Sequence, residues 1–326
     1  MSARRIAIVV GTRPEAIKMA PVILEALRHA NLTVTLIATG QHDGLFDDAI
    51  AGFGIKPDAH LGAAPGAPVE TLRKYIARWL AAHRPDIVLV QGDTNSALAG
   101  AQAAYGLGIP VGHVEAGLRT HTPLRPFPEE NNRVAIAQLA ALHFAPSLLA
   151  ADNLRAENVR GAIHITGNPG IDALMQTTAT FSLPPVQTGH HILITCHRRE
   201  IFGAPLKRII AATKALAARD DVRMTIPVHP NPAVGDVIRA ELANLPCLQL
   251  TEPLDYPAMM RSVHASRFVL SDSGGLQEEC AALSVPMLCL REETERPELL
   301  ASGNVRLVGS DTALIFAEAI RLLDDD

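Results

Sequence analysis

Residues 267–297, RFVLSDSGGLQEECAALSVPMLCLREETERP, read as a strand, a tight turn, a helix and a second strand. Phe268, Val269 and Leu270 are residues of a buried strand. Gly274 and Gly275 let the backbone turn sharply and lie close against a ligand. Residues 276–283 continue as a helix, residues 286–290 return as a strand, and Arg296 follows in a charged loop. The free N–H groups and positive dipole end of such a helix seat an anion such as a diphosphate. Glu278 and Glu279 fall in its first turns, where a carboxylate is stabilised and can accept bonds from ribose hydroxyls. A Gly-rich turn followed by ordinary N-terminal acids is an equal reading of this stretch alone. What the other segments place beside it decides between the two.

Working outward, strand-like runs recur at 6–10, 34–38, 86–90, 110–114, 143–146 and 163–166. Helical patterns at 16–28, 69–83, 97–105 and 131–141 separate them. The alternation pauses at 179–190, ATFSLPPVQTGH, which has the composition of a linker. It resumes with strands at 192–195, 223–228 and 248–250 and helices at 206–218, 234–242 and 313–323. Strands alternating with helices predict parallel sheets with ligands at the carboxyl ends of the strands. The expected fold class is α/β: two Rossmann-like, doubly wound domains facing across a cleft, residues 1–168 and 169–326.

Length and composition agree. A chain of 326 residues exceeds one ordinary core, and 48% hydrophobic with 19% charged residues marks a well-buried protein. A formal net charge of -5 without a long Lys/Arg run argues against a general nucleic-acid partner. Cys196, Cys247, Cys280 and Cys289 are widely spaced with no CxxC pair, so buried thiols are expected rather than disulfides or zinc ligands. The apolar run at the N-terminus is too short for a signal-peptide core or a membrane span. A soluble, cytoplasmic protein is expected.

Candidate chemistry gathers at predicted strand ends. GTRPEAIKMAP (11–21) offers Arg13 and Lys18 to a bound diphosphate, and is neither a GxGxxG fingerprint nor a Walker loop. Asp93 in QGDTN is a ligand-facing carboxylate or a helix N-cap. Glu115 leaves a buried strand, where low dielectric would raise its pKa and suit it to moving protons. Glu129 starts a helix, as a catalytic acid or as a favourable dipole partner. In the second half His197 follows a strand, and His229 and Asn231 do so one strand later. The apolar segment 254–259, with Leu254 and Met259, can flank a base ring or belong to the core.

GTRPEAIKMAPVI, the GDT after residues 86–90, HVEAGLRT, FPEENNR, the GN at 167–168, HRRE, PVHPNP, PLDY, DSGGLQEE and TERPE occur in this order. Together they closely resemble the bacterial non-hydrolysing UDP-N-acetylglucosamine 2-epimerases over nearly the whole sequence. The resemblance implies a fold like that of the B-type glycosyltransferases (GT-B), with substrate in the interdomain cleft. It implies reversible conversion of UDP-GlcNAc to UDP-ManNAc by loss of the C2 proton and elimination of UDP to 2-acetamidoglucal, followed by re-addition. No cofactor and no metal is called for, and a homodimer with no membrane or nucleic-acid partner is expected. Asp93, Glu115 and Glu129 match the acidic catalytic set, with Glu115 and Glu129 as the proton-transfer pair. His197, Arg13 and Lys18, with the Gly274-Gly275 helix start, are expected to stabilise the departing UDP. Ser273, Gly275, Glu279 and Arg296 match positions that hold phosphate, ribose and sugar-nucleotide groups.

The pattern departs from the family at four places. The NPYGDG-like segment and crossover helix that usually follow are not reached before Asp326. Gln41-His42, in the region lining an allosteric UDP-GlcNAc site, is followed by Asp43-Gly44 in place of the usual Arg-Glu, which predicts weakened activation. Cys196 replaces a usual Gly, and Met259 stands where an aromatic residue often contacts uracil. A hydrolysing relative that releases ManNAc and UDP, and a non-catalytic sugar-nucleotide-binding protein, stand as alternatives.

Overall fold

Apolar runs without polar alternation form strands that must be covered on both faces, and helices between them supply the cover. A computed structural model of the chain describes residues 3–41, 45–180 and 190–324. Two compact units divide between Ala173 and Leu174, five residues beyond the boundary read from the sequence and inside a helix.

The first unit runs β1 (Arg4–Val10), α1 (Arg13–Leu27), β2 (Leu32–Ala38), α2 (Leu45–Ala51), β3 (Ala59–His60), α3 (Val69–His83), β4 (Ile87–Gln91), α4 (Asn95–Gly106), β5 (Val111–Val114), α5 (Glu129–Leu139), β6 (Leu142–Ala145), α6 (Leu148–Ala156) and β7 (Ala162–Ile165). Helix α7 (Pro169–Thr178) spans the division. The seven strands pair in the order β3-β2-β1-β4-β5-β6-β7, all parallel. The chain winds outward from β1 through β2 to β3, then returns to β4 and winds the other way. Its switch point therefore lies between β1 and β4, where a doubly wound sheet binds ligands.

The second unit repeats this logic with β8 (His190–Thr195), a single 3-10 turn (Arg199–Ile201), α8 (Ala204–Leu216), β9 (Val222–Pro227), α9 (Pro232–Leu242), β10 (Leu248–Thr251), α10 (Tyr256–His264), β11 (Phe268–Ser271), α11 (Gly275–Ala282), β12 (Met287–Cys289), α12 (Pro297–Ala301), β13 (Val305–Leu307) and α13 (Thr312–Asp324). Its order is β10-β9-β8-β11-β12-β13, again parallel, with the switch point between β8 and β11. Among the described residues, no helix is long and apolar enough to cross a membrane.

Local chemistry sets the boundaries. Thr12 and Glu15 form a capping box that starts α1 at Arg13, three residues before the apolar periodicity becomes visible. Thr94, Ser147, Asn231 and Asp255 cap α4, α6, α9 and α10 with their side chains. Helix α10 covers most of the segment read as a possible base-ring flank. Pro257 sits in its first turn, where a missing N–H is not needed.

Each sheet is packed on both faces. In the first unit, Val9, Val88 and Val90 meet Leu72, Ile76 and Leu80 of α3 on one side, while Ile8 and Val10 meet Met19 and Ile23 of α1 on the other. In the second, Ile192, Phe268 and Leu270 share a core with Leu206 and Ile209 of α8, Val234 of α9 and Ile315 of α13. Phe268 is wholly buried. Phe268→Ala should cost about 3–5 kcal/mol through lost burial and a residual cavity, measured as a lower urea midpoint of the second unit's transition. A loss below about 1 kcal/mol would show that this core is not close-packed.

Candidate active site

At the first switch point, the loops leaving β1 and β4 are tied together by one buried acid. Glu15 Oε2 accepts the backbone N–H groups of Gly11 (3.1 Å) and Thr12 (2.8 Å). Its Oε1 accepts the Thr94 hydroxyl at 2.8 Å. Burial pushes the Glu15 carboxyl up from 4.5 to about 7, against the opposing pull of these donors. Arg13, half-buried, is the first residue of α1 beside this tie.

Glu115 is the first residue after β5 and has left-handed backbone, φ +63°, which a non-glycine residue adopts rarely and mostly at functional positions. The residue is 7% exposed. Lys18 Nζ donates to both oxygens, at 2.7 and 2.8 Å. Asn168 Nδ2 donates to Oε1 at 2.8 Å, and Gln91 Nε2 donates to Oε2. The sequence reading placed a carboxylate in a low-dielectric site; the structure surrounds it with a cation and two amides. Gly92, at φ +67°, lets the neighbouring loop pass close, since a Cβ there would lie 3.3 Å from Glu115 Oε2. His113 steadies that loop by donating Nε2–H to the Gly92 carbonyl at 2.8 Å. Burial holds the His113 imidazole down at about 3, so it is neutral.

Asp93 does not cap α4, because Thr94 does. Its side chain, partly exposed, pairs with Arg133 of α5, and its carbonyl accepts Asn132 Nδ2 at 2.8 Å. Glu129 is the first residue of α5 and half-buried, four residues before Arg133 and so on the same helical face. The next residue, Glu130, is buried and accepts the backbone N–H groups of Thr120 and His121 at 3.1 Å, which fixes the preceding loop over the helix start. Asp93 thus stands beside Gly92, whose turn passes close to Glu115, and Arg133 and Asn132 join it to α5, the helix that presents Glu129. Gln41, from the loop after β2, accepts the Ser96 N–H (2.9 Å) and hydroxyl (2.6 Å) at the start of α4. His42, paired with it in the sequence reading, lies outside the described residues.

At the second switch point, His197 follows β8 and Asp272 follows β11. His197 Nδ1 lies 2.7 Å from Asp272 Oδ1. Gly274 and Gly275 have no left-handed φ; their value is closeness. A Cβ on Gly274 would lie 2.8 Å from Glu295 Oε1, 3.2 Å from Arg198 Nη2 and 3.3 Å from Arg296 Nη1, whereas Gly275 faces open space. Ser273 Oγ accepts the Leu276 N–H at 3.4 Å at the head of α11. Arg296, 5% exposed, donates Nε–H to Glu278 at 2.7 Å and pairs with Glu295. Glu279 accepts the Tyr256 hydroxyl at 2.8 Å, which fastens α10 to α11. Leu254, half-buried, lines a groove of about 550 Å³ along β9 and β10 with Thr225, Cys247 and Arg261. Met259 is half-buried on α10.

Residue patterns alone passed over Glu15, Gln91, Asn168, Arg133 and Asp272 as site residues. Their signal was present in part: each is a polar residue directly at the end of a buried strand or inside a quoted motif. What each one touches is a matter of tertiary structure.

A parallel sheet wound both ways from a charged switch point, twice in one chain, defines a doubly wound α/β protein whose ligand-binding edges are these switch points. The family model described as UDP-N-acetylglucosamine 2-epimerase matches residues 25–326. The UDP-N-acetylglucosamine 2-epimerase of Bacillus subtilis is 40% identical over 338 residues, covering 100% of this chain and 88% of its own. A co-structure of S. aureus MnaA with UDP superposes with a TM-score of 0.94 at 36% identity, covering 99% of this chain and 88% of that one. The Neisseria meningitidis UDP-GlcNAc 2-epimerase bound to UDP-GlcNAc gives a TM-score of 0.91 at 39% identity, covering 97% and 91%. The chain belongs to the UDP-N-acetylglucosamine 2-epimerase family.

Glu15 carries a pH signature. Its folded value lies above the unfolded one, so the folded state holds the extra proton between about 4.5 and 7 and loses stability as pH rises through that range. Glu15→Gln keeps two acceptor bonds to the backbone, turns a donor toward Thr94 and cannot ionise. Its stability relative to the parent should rise by on the order of 3 kcal/mol between mildly acidic and mildly alkaline pH, in paired denaturant titrations. A difference that does not change with pH would contradict it.

Proposed function

We propose that this protein interconverts UDP-GlcNAc and UDP-ManNAc by inversion at C2, without hydrolysis. The observation that carries the reading is the caged Glu115. Lys18, Gln91 and Asn168 present only N–H donors to it, so the group is an acceptor, the form that takes up a proton. Three relatives support the substrate: the Bacillus protein by its name, and the two solved structures by the UDP and UDP-GlcNAc they hold.

The steps balance as an elimination and its reverse. Glu115 takes the proton from C2, the C2–H electrons form the C1=C2 bond of 2-acetamidoglucal, and the C1–O bond breaks with its electrons passing to UDP. UDP then adds back to C1 while a second acid, assigned to Glu129, protonates C2 on the opposite face. Asp93, fixed by Arg133, orients the sugar. His197, Arg13 and the helix start at Gly274 and Gly275 offset the charge that develops on the departing diphosphate. Glu279 and Arg296 serve the ribose and phosphate side, with Leu254 and Met259 toward the base. The route calls for no metal and no nicotinamide. The family resemblance extends this reading to a cytoplasmic homodimer that supplies ManNAc units for surface polysaccharide.

Glu115→Gln preserves size and removes the proton acceptor. Turnover of UDP-GlcNAc should fall by about 10²–10⁴-fold, while UDP binding measured by calorimetry stays close to that of the parent. Unchanged turnover would remove Glu115 from the mechanism. Free ManNAc and UDP as the products of the parent protein would replace the non-hydrolysing reading by the hydrolysing one.

A further inference from the structure

Asp272 is wholly buried, yet it is charged and follows β11 at the edge where ligands are expected. The sheet brings it to its partner: β8 and β11 are adjacent, with Thr195 in register with Ser271 and their hydroxyls 2.6 Å apart. Two residues beyond Thr195 is His197; one beyond Ser271 is Asp272. The two carboxylate oxygens have different duties. Oδ2 accepts the backbone N–H groups of His197 (2.8 Å) and Arg198 (2.7 Å), while Oδ1 faces His197 Nδ1 at 2.7 Å.

Donor and acceptor chemistry then fixes the histidine. A carboxylate can only accept, so Nδ1 carries the hydrogen and Nε2 is the nitrogen left for other work. The His197 side chain is 40% exposed although its partner is sealed off. On the far side, the ring of His229, which follows β9, stacks with a centroid separation of 6.5 Å, and its Nδ1 accepts the Asn231 N–H at 3.1 Å. That leaves the His229 hydrogen on Nε2. Burial alone pushes Asp272 up, but the His197 charge and the donors from His197 and Arg198 outweigh it and hold the carboxyl below its usual range.

We propose that Asp272 is the positioning residue of His197, fixing its Nδ1–H tautomer so that Nε2 holds and releases the proton at the leaving diphosphate. The tautomer follows from the contacts alone; the role at the diphosphate rests on the proposed epimerisation.

Asp272→Asn tests both parts. The two backbone N–H groups can only donate, so the amide oxygen of the variant must face them and its NH₂ must face His197. Nδ1 is then forced to accept, and the proton moves to Nε2. In a Ser-His-Asp triad the same exchange lowers kcat by about 10⁴ through the wrong tautomer. The expected result is a fall in kcat of about 10²–10⁴-fold that exceeds any change in KM. The His197→Ala single variant and the His197→Ala, Asp272→Asn double variant should be equally slow.

¹⁵N NMR of histidine-labelled protein at alkaline pH, with His197 assigned by loss of its signals in His197→Ala, reads the tautomer directly. The parent should show protonated Nδ1, and Asp272→Asn should show protonated Nε2. Protonated Nε2 in the parent, a tautomer unmoved by Asp272→Asn, or parental turnover in that variant would overturn the proposal. The parent spectrum does not depend on Asp272→Asn folding. A parent protein with the expected tautomer but no epimerisation would sink the reaction assigned above and leave the Asp272–His197 pairing standing.

Discussion

Parallel pairing of β1 with β4 and of β8 with β11 is the constraint on which the rest of the structure depends. At these two places the winding reverses, so the loops leaving the central strands diverge and no crossover helix closes over them. Each pair of strand ends therefore exposes backbone N–H groups and short loops while lying in the most deeply packed part of its unit. Charged side chains can be held there rigidly, partly out of water, and still be reached by a ligand. In the first unit the groups so placed are carboxylates held by cations and amides. In the second they are groups suited to an anion.

Holding charges in such positions is costly unless each is paired. Three strongly buried acids at the two edges differ in how far they meet that condition. Glu115 is matched by Lys18 and two amides, and Asp272 by His197 and two backbone N–H groups. Glu15 has only neutral donors and responds by binding a proton up to about pH 7. The contrast separates acids matched by a cation from one that fastens the loops of the switch point.

Much of this was legible in the sequence because the strands are continuous apolar runs whose ends are marked by Gly or by a charge. Asp93, Glu115, His197 and the Gly274-Gly275 turn could be found as first residues after such runs. Helices α6 and α7 and the three-residue β13 gave weaker patterns, and the Pro in its first turn hid α10. The partners were not legible at all. Gln91 and Asn168 meet Glu115 across separations of 24 and 53 residues, and Asp272 meets His197 across 75, so only the order of strands in the sheet brings them together. The crowding of Gly274 by Glu295, Arg198 and Arg296, where a side chain would not fit, was not legible either.

Inversion at C2 requires that the carbon lose its hydrogen to the protein and regain one from solvent-exchanged groups. A proton NMR time course of UDP-GlcNAc with the purified protein in D₂O observes this directly. Epimerisation through 2-acetamidoglucal predicts that UDP-ManNAc appears with deuterium at C2, and that recovered UDP-GlcNAc acquires deuterium at the same carbon. UDP-ManNAc formed with its C2 hydrogen retained, or no exchange at C2 while UDP binds normally, would contradict it.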